Sequence, residues 1–150
     1  MESFQLMMAA GNYLPTHLGP WLTWMQVVLF LLPFAFVRHV APRYLLLAQV
    51  LNTLTAYGVF VAEGHQVTRL FGLGHFFWLW PLWLMVRDVR SSVTPRLYRS
   101  YAAVAALTIS ISLVFDVRDT ALWILGDRES ILVDVPLESP LAEVSPRTAR

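Results

Sequence analysis

The stretch RLFGLGHFFWLWPLWLMV, residues 69–86, is apolar along its length apart from Arg69 and His75. A helix that crosses a bilayer needs about 20 mostly apolar residues, and this stretch meets that requirement. Such a run is too long and continuous for an alternating β-strand, and no heptad repeat persists along the chain. Three further stretches have the same character: LGPWLTWMQVVLFLLPFAFV (18–37), YLLLAQVLNTLTAYGVFVA (44–62) and LYRSYAAVAALTISISLVF (97–115). The sequence therefore predicts an all-α membrane protein, a four-transmembrane-helix antiparallel bundle.

The composition supports a lipid-facing exterior. Of the 150 residues, 57% are hydrophobic and 14% are charged, whereas soluble domains carry about 25% charged residues. The chain has no cysteine, which excludes disulfides, zinc–thiolate sites and cysteine nucleophiles. It also has no lysine, so that every basic residue other than histidine is an arginine.

The connections between the predicted spans define a transmembrane domain over residues 1–126. Loops 38–43 and 63–68 are so short that they can only join adjacent antiparallel helices. Beyond the fourth span, residues 116–125 keep helical spacing, and we expect an interfacial continuation that stops at Gly126. Residues 127–150 contain several prolines and an excess of carboxylates, so that we predict an extended or disordered acidic tail.

Arginine placement predicts the orientation of the chain. With four spans, loops 38–43 and 87–99 share one side, and Asp88 is their only acidic residue. Positive charge marks cytoplasmic loops, so both termini are expected outside the cytoplasm. The lysine-free composition suggests a bacterial chain, and therefore a bacterial cytoplasmic (inner) membrane. The loop arginines predicted to face inner-leaflet lipid, at about 1 kcal/mol per charge, are Arg87, Arg90, Arg96 and Arg99.

Several polar groups fall inside the predicted spans. Gln26 and Asn52 lie near mid-membrane, where an amide should find a hydrogen-bond partner. They are expected to bond to each other or to backbone, and a polar path or substrate contact is the alternative. Pro33 removes the hydrogen bond to the carbonyl of Leu29, and Pro81 removes the one to Phe77.

One polar constellation is predicted at the outer rim, where the helix ends on the non-cytoplasmic side should meet. An ionisable group inside a span is a functional-site hypothesis by default, and His75 lies about six residues into the third span. The candidate catalytic residues are therefore His75, Asp116 and Asp119. The favoured alternative is a structural network in which Arg69 pairs with Asp116 or Asp119 and His75 bonds to a carbonyl or to a serine or threonine. The full set is Asn12, His17, Glu63, His65, Arg69, His75, Asp116, Arg118 and Asp119.

Other chemistries at this rim stay open. Imidazole and carboxylate suit zinc, iron or manganese, so a metal ion could be held by Glu63, His65, His75 and Asp116. A proton relay between His75 and Asp116 is a further possibility, and a haem would need a second histidine at matching depth. The cofactor is thus unknown. No phosphate loop, GxSxG or dinucleotide motif is present, and nucleic-acid binding is not indicated.

Three functional interpretations follow. The first is an accessory or scaffold subunit, or a homo-oligomeric membrane protein, with the lipid bilayer and other membrane chains as partners. The second is a small membrane enzyme or metal-binding protein that uses the outer rim. The third is a dimeric small-molecule transporter, because the chain resembles small four-helix exporters in size and helix number. Those exporters carry a carboxylate deep in the first helix, whereas residues 18–37 contain none.

Overall fold

The computed structural model describes residues 3–136, 139 and 141. Most of them lie in five main helical segments. No β-strand occurs in this part of the chain. A short N-terminal helix, α1, was not predicted from the sequence. The segments are α1 (Ser3–Ala10), α2 (Thr16–Ala35), α3 (Val40–Ala62), α4 (69–90) and α5 (Arg96–Ile124).

Three of these segments, α2, α3 and α5, are long and apolar enough to cross a membrane. They correspond to the predicted spans 18–37, 44–62 and 97–115, and α5 runs without a break through the predicted continuation 116–125. The prediction of an all-helical fold is thereby confirmed for the described residues, and the three candidate membrane-spanning helices support the prediction of an integral membrane protein.

The segment α4 differs from the single α-helix that its sequence predicted. Arg69–Trp78 is a 3₁₀ helix of 10 residues, and Leu79–Arg90 is an α-helix of 12 residues. Pro81 lies in the first turn of the α-helical part, where its missing N–H breaks no intrahelical bond. Because the α-helical part is short, α4 is not among the three segments that could cross a membrane as one regular helix.

The middle of α2 also departs from α-helical geometry. Residues Gln26–Leu31 form a π-helix, and Pro33 follows it. Pro33 has no N–H for the carbonyl of Leu29, and the side-chain Nε2 of Gln49 on α3 donates to that carbonyl at 3.1 Å. The carbonyl that the sequence predicted to be free is therefore satisfied by a neighbouring helix.

Small residues let the long helices approach one another. α4 packs on both α3 and α5, and α2 contacts the same two helices. At their meeting point Ala48, Ala102 and Ala105 are buried against large side chains such as Trp78 and Ile109. Because the drive to bury apolar groups is weak inside lipid, close van der Waals packing of this kind holds helices together.

One end of the molecule carries the two arginine-rich loops. The imidazole of His39 stacks on Tyr98 with a centroid distance of 3.6 Å, and the Tyr98 hydroxyl donates to Asp88 at 2.9 Å. Arg43 and Arg99 donate to backbone carbonyls of their own loops. The connections α2–α3 and α4–α5 therefore lie side by side.

The opposite end is closed by turns and by the beginning of the C-terminal tail. Gly64 and His65 both adopt positive φ, at 68° and 64°, and end α3 with a hydrogen bond from His65 N to Phe60 O. Gly126, with φ of 105°, stops α5 where the sequence predicted. The tail 127–136 has no helix or strand, and the amide of Ile131 donates to the carbonyl of Val67.

The described tail residues belong to a second apolar cluster. Leu132 and Leu141 are buried against Leu6 of α1, Phe60 of α3 and Val67. An extended or disordered tail was predicted over residues 127–150, of which residues 137, 138, 140 and 142–150 lie outside the described part of the chain.

Candidate functional site

The 3₁₀ geometry of α4 creates a stripe of functional residues. A 3₁₀ helix has three residues per turn, so that side chains at i and i+3 eclipse. Arg69, Gly72, His75 and Trp78 therefore line one side of the segment. This arrangement differs from the α-helix predicted for these residues, and it increases the rise from Arg69 to His75 from about 9 Å to about 12 Å.

His75 and Asp116 form a hydrogen-bonded pair between α4 and α5. The Nδ1 of His75 lies 2.8 Å from Oδ2 of Asp116, and each side chain is only 19% exposed. An ionised carboxylate can only accept, so Nδ1 is the donor toward it, and in the neutral imidazole Nε2 is then the acceptor. The imidazole ring of His75 also stacks on the indole of Trp78, with ring centroids 3.9 Å apart. Carboxylate and indole together fix the orientation of the ring.

Two glycines of the 3₁₀ segment permit the close approaches around this pair. A Cβ on Gly72 would clash with the carboxylate of Asp116, and a Cβ on Gly74 would lie 2.8 Å from both Cα and the carbonyl oxygen of Asn52. Real Cβ atoms essentially never come that close. The glycines at 72 and 74 thus set the distances from α4 to α5 and α3.

Arg69 forms a second set of ion pairs, with carboxylates near the C-terminal end of α5. Its Nε donates to Asp127 at 2.7 Å, and its Nη1 donates to Asp119 at 3.3 Å. Arg118 also contacts Asp119 at 3.1 Å. Of the two partners expected for Arg69, the structure pairs it with Asp119, while Asp116 is taken by His75. Asp127 is a partner that the sequence analysis did not single out.

The other predicted rim residues make separate contacts. Glu63 accepts a hydrogen bond from the Trp123 indole at 3.3 Å, and His65 Nε2 lies 2.8 Å from the Ser3 hydroxyl. Asn12 and His17 are exposed. The structure thus joins His75 to Asp116 but does not bring Glu63 and His65 to them. Across the described residues, no three His, Asp or Glu side chains are grouped as metal ligands would be.

The two amides predicted at mid-membrane line one cavity of about 690 Å³ between α2, α3 and α4. Gln26 is exposed at its edge. The Oδ1 of Asn52 and the indole Nε1 of Trp78 are both buried, and neither has a hydrogen-bond partner among the residues described. The expected bond between Gln26 and Asn52 is not among the side-chain hydrogen bonds of the described residues.

The four predicted lipid-facing arginines have different surroundings. Arg87 pairs with Asp88 at 2.9 Å, and Arg99 donates to the carbonyls of Ser92 and Thr94. Arg90 and Arg96 are exposed at the ends of α4 and α5. Arg99 therefore stabilises the loop in addition to any role at the membrane surface.

Several residues of the site were not singled out as functional by the sequence analysis: Gln49, Gly72, Gly74, Trp78 and Asp127. The three-residue spacing of Arg69, Gly72, His75 and Trp78 is the signal that could have identified the stripe.

Comparisons with protein-family models, with curated proteins and with solved structures find no match for this chain.

Proposed function

We propose that this chain is a bacterial inner-membrane protein that crosses the bilayer four times, with both termini outside the cytoplasm. In this proposal it acts without catalysis, as a subunit of a membrane assembly formed by its own copies or with other chains. The observation that carries the assembly proposal is a ladder of exposed aromatic side chains on the outer surface of α4 and the adjoining start of α3.

The length of α4 supports the fourth crossing. Ten residues of 3₁₀ helix extend about 20 Å, and twelve α-helical residues add about 18 Å. The hydrocarbon core is about 30 Å thick, so the two helix types together are long enough to cross it. The pairwise contacts of α2 with α3 and α5, and of α4 with the same helices, are those expected of an antiparallel four-helix bundle.

The distribution of contacts at the two ends supports the orientation. The loops rich in arginine meet at one end, where His39 stacks on Tyr98. The N-terminal segment and the tail meet at the other end, where the Val133 amide donates to the Tyr13 carbonyl. The arginine-rich end is the one that the charge rule assigns to the cytoplasm.

The pairing of the rim charges favours a non-catalytic role. Asp116 is bound by His75, and Asp119 and Asp127 are bound by Arg69. All three carboxylates therefore have basic partners within the chain, as expected of a structural network. In partly desolvated surroundings such pairs fix the register of helices more than they add stability.

The aromatic ladder consists of Tyr44, Phe76, Trp80 and Trp83. Trp80 stacks on Trp83 with centroids 5.1 Å apart, and Tyr44 meets Trp80 edge-on at 6.3 Å. Phe76, Trp80 and Trp83 are 69%, 53% and 54% exposed. Rigid aromatic side chains give a large contact area at low entropic cost, which suits association inside lipid, where packing provides the drive.

The double substitution Trp80→Leu with Trp83→Leu tests this proposal. We expect wild-type protein, extracted in mild detergent, to run as an assembly larger than its 17.1 kDa monomer. The double variant should run as a monomer because it loses the stacked surface. Native mass spectrometry of both proteins measures the difference.

A second exposed aromatic pair on α2 provides the matched control. Phe30 and Phe34 meet edge-on at 6.1 Å and are 50% and 57% exposed. Phe30→Leu with Phe34→Leu should leave the assembly mass unchanged. A monomeric wild type, or an assembly that survives in the Trp80/Trp83 variant, would refute the proposed role of the ladder.

A further inference from the structure

The proposed assembly role does not use the cavity between α2, α3 and α4, so a function for this cavity goes beyond the proposed function. We propose that it binds one uncharged, hydroxyl-bearing lipophile that enters from the hydrocarbon phase of the membrane. Its polar residues are Gln26, Gln49, Asn52, Thr53 and His75.

The size and the position of the cavity fit a small lipophile. Its volume of about 690 Å³ lies within the range of about 300–1,000 Å³ that is typical of small-molecule sites. Gln26 and Thr53, near the middle of α2 and α3, are exposed at its edge. Since α2 and α3 are long and apolar enough to cross a membrane, an opening at their midpoints faces hydrocarbon.

Two irregular helical segments form the walls. The π-helical turns Gln26–Leu31 of α2 and the 3₁₀ segment Arg69–Trp78 of α4 both contribute lining residues. π-helical turns occur frequently at functional sites, and long 3₁₀ stretches often mark strain or function. Both segments that depart from α-helical geometry therefore line the same cavity.

The polar side chains that line the cavity determine which polar head group a ligand can carry. No Asp, Glu or Arg lines the cavity, so a charged head would be desolvated there without a counter-charge. Nδ1 of His75 lies within hydrogen-bond distance of Asp116, and in the neutral imidazole whose Nδ1 donates to that carboxylate, Nε2 is the acceptor. The ligand must then donate to His75, which an uncharged lipophile does through a hydroxyl. Gln26 offers an amide that can donate back to the hydroxyl oxygen.

Two of the lining residues carry a buried polar atom that lacks a partner. The amide oxygen of Asn52 and the indole N–H of Trp78 are buried without partners among the described residues. Nearly all buried polar groups in proteins have a partner, so an unpaired one needs an explanation such as a bound molecule. The Asn52 oxygen packs against Gly74, so it can meet a polar head in the cavity only after the amide rotates about its soft terminal torsion.

The test compares 4-nonylphenol with 4-nonylanisole, which differ in the hydroxyl hydrogen that the site is proposed to recognise. Binding to the detergent-solubilised, full-length protein is followed by quenching of tryptophan fluorescence. We expect nonylphenol to bind saturably, and nonylanisole to bind about tenfold more weakly, since one hydrogen bond is lost. Equal affinities for the two probes, or no saturable binding of nonylphenol, would overturn the proposal.

Three variants locate the site. Gln26→Leu, which replaces an exposed amide on an apolar helix and so should not disturb folding, is expected to weaken nonylphenol binding about fivefold or more. Thr53→Phe fills the cavity entrance and should abolish binding of both probes. Thr55→Ala, on the same helix but outside the lining, should bind as wild type. Unchanged nonylphenol affinity in both Gln26→Leu and Thr53→Phe would place the binding elsewhere and refute the assignment.

Discussion

Replacing Gly74 by alanine is expected to lower the thermal midpoint of the detergent-solubilised protein by about 5–10 °C. The added Cβ would lie 2.8 Å from both Cα and the carbonyl oxygen of Asn52. These are backbone atoms, so relief requires α3 and α4 to move apart, and such overpacking costs about 1–3 kcal/mol. Thermal unfolding followed by circular dichroism measures the effect.

The matched control is Gly58→Ala on α3. No atom lies within 4 Å of a Cβ built at Gly58, and alanine favours a helix interior over glycine by about 1 kcal/mol. Its thermal midpoint should equal that of wild type or exceed it. If Gly74→Ala were as stable as Gly58→Ala, the close contact between α3 and the 3₁₀ segment would be wrong.

The Asp116→Ala substitution is expected to lower the free energy of unfolding by about 1–3 kcal/mol. It leaves the half-buried imidazole of His75 without the carboxylate that lies 2.8 Å away. The Asp119→Ala control should cost less than about 1 kcal/mol, because Asp119 is more exposed and Arg69 retains Asp127. Unfolding by denaturing detergent gives both values.

A double-mutant cycle isolates the pair itself. Coupling between Asp116→Ala and His75→Ala should be about 0.6–1.7 kcal/mol, the range found for hydrogen bonds between membrane helices. Additive effects of the two substitutions would mean that the two side chains do not interact.

The sequence predicted the helical segments well where hydropathy alone decides them. The apolar runs 18–37, 44–62 and 97–115 became α2, α3 and α5, and Gly126 ended α5. The 3₁₀ form of residues 69–78 could not be predicted from hydropathy, because both helix types bury the same apolar residues. It depends on tertiary contacts, since Gly72 and Gly74 must meet Asp116 and Asn52 on other helices.

Which residues of a helix are buried was harder to predict than where the helix begins and ends. Ala102, Ala106 and Ser110 have the four-residue spacing of small residues that is typical of close helix packing, and Ala102 and Ala106 are buried whereas Ser110 is exposed. The buried face of α5 also includes Tyr98, Ala105 and Ile109. Spacings of three and four residues are equally helical, and only the position of the neighbouring helix selects between them.

The sequence analysis predicted which charged side chains share one rim but not which of them pair. Topology placed His75, Asp116 and Arg69 on one rim, and they do lie near one another. Which carboxylate meets which base depends on the rise of the 3₁₀ segment, which moves His75 to the level of Asp116. The partner Asp127 follows Gly126, whose positive φ turns the chain back in a way that hydropathy does not reveal.

Whether α4 crosses the membrane is the central question, and single cysteines introduced into this cysteine-free chain answer it most directly. Gln66→Cys lies just before α4, and Val93→Cys lies just after it, at a position that is 89% exposed. Both are treated, in right-side-out spheroplasts, with a maleimide that cannot cross membranes. Four crossings predict that Gln66→Cys is labelled directly and that Val93→Cys is labelled only after permeabilisation. Labelling of both cysteines from the same side would show that α4 does not cross.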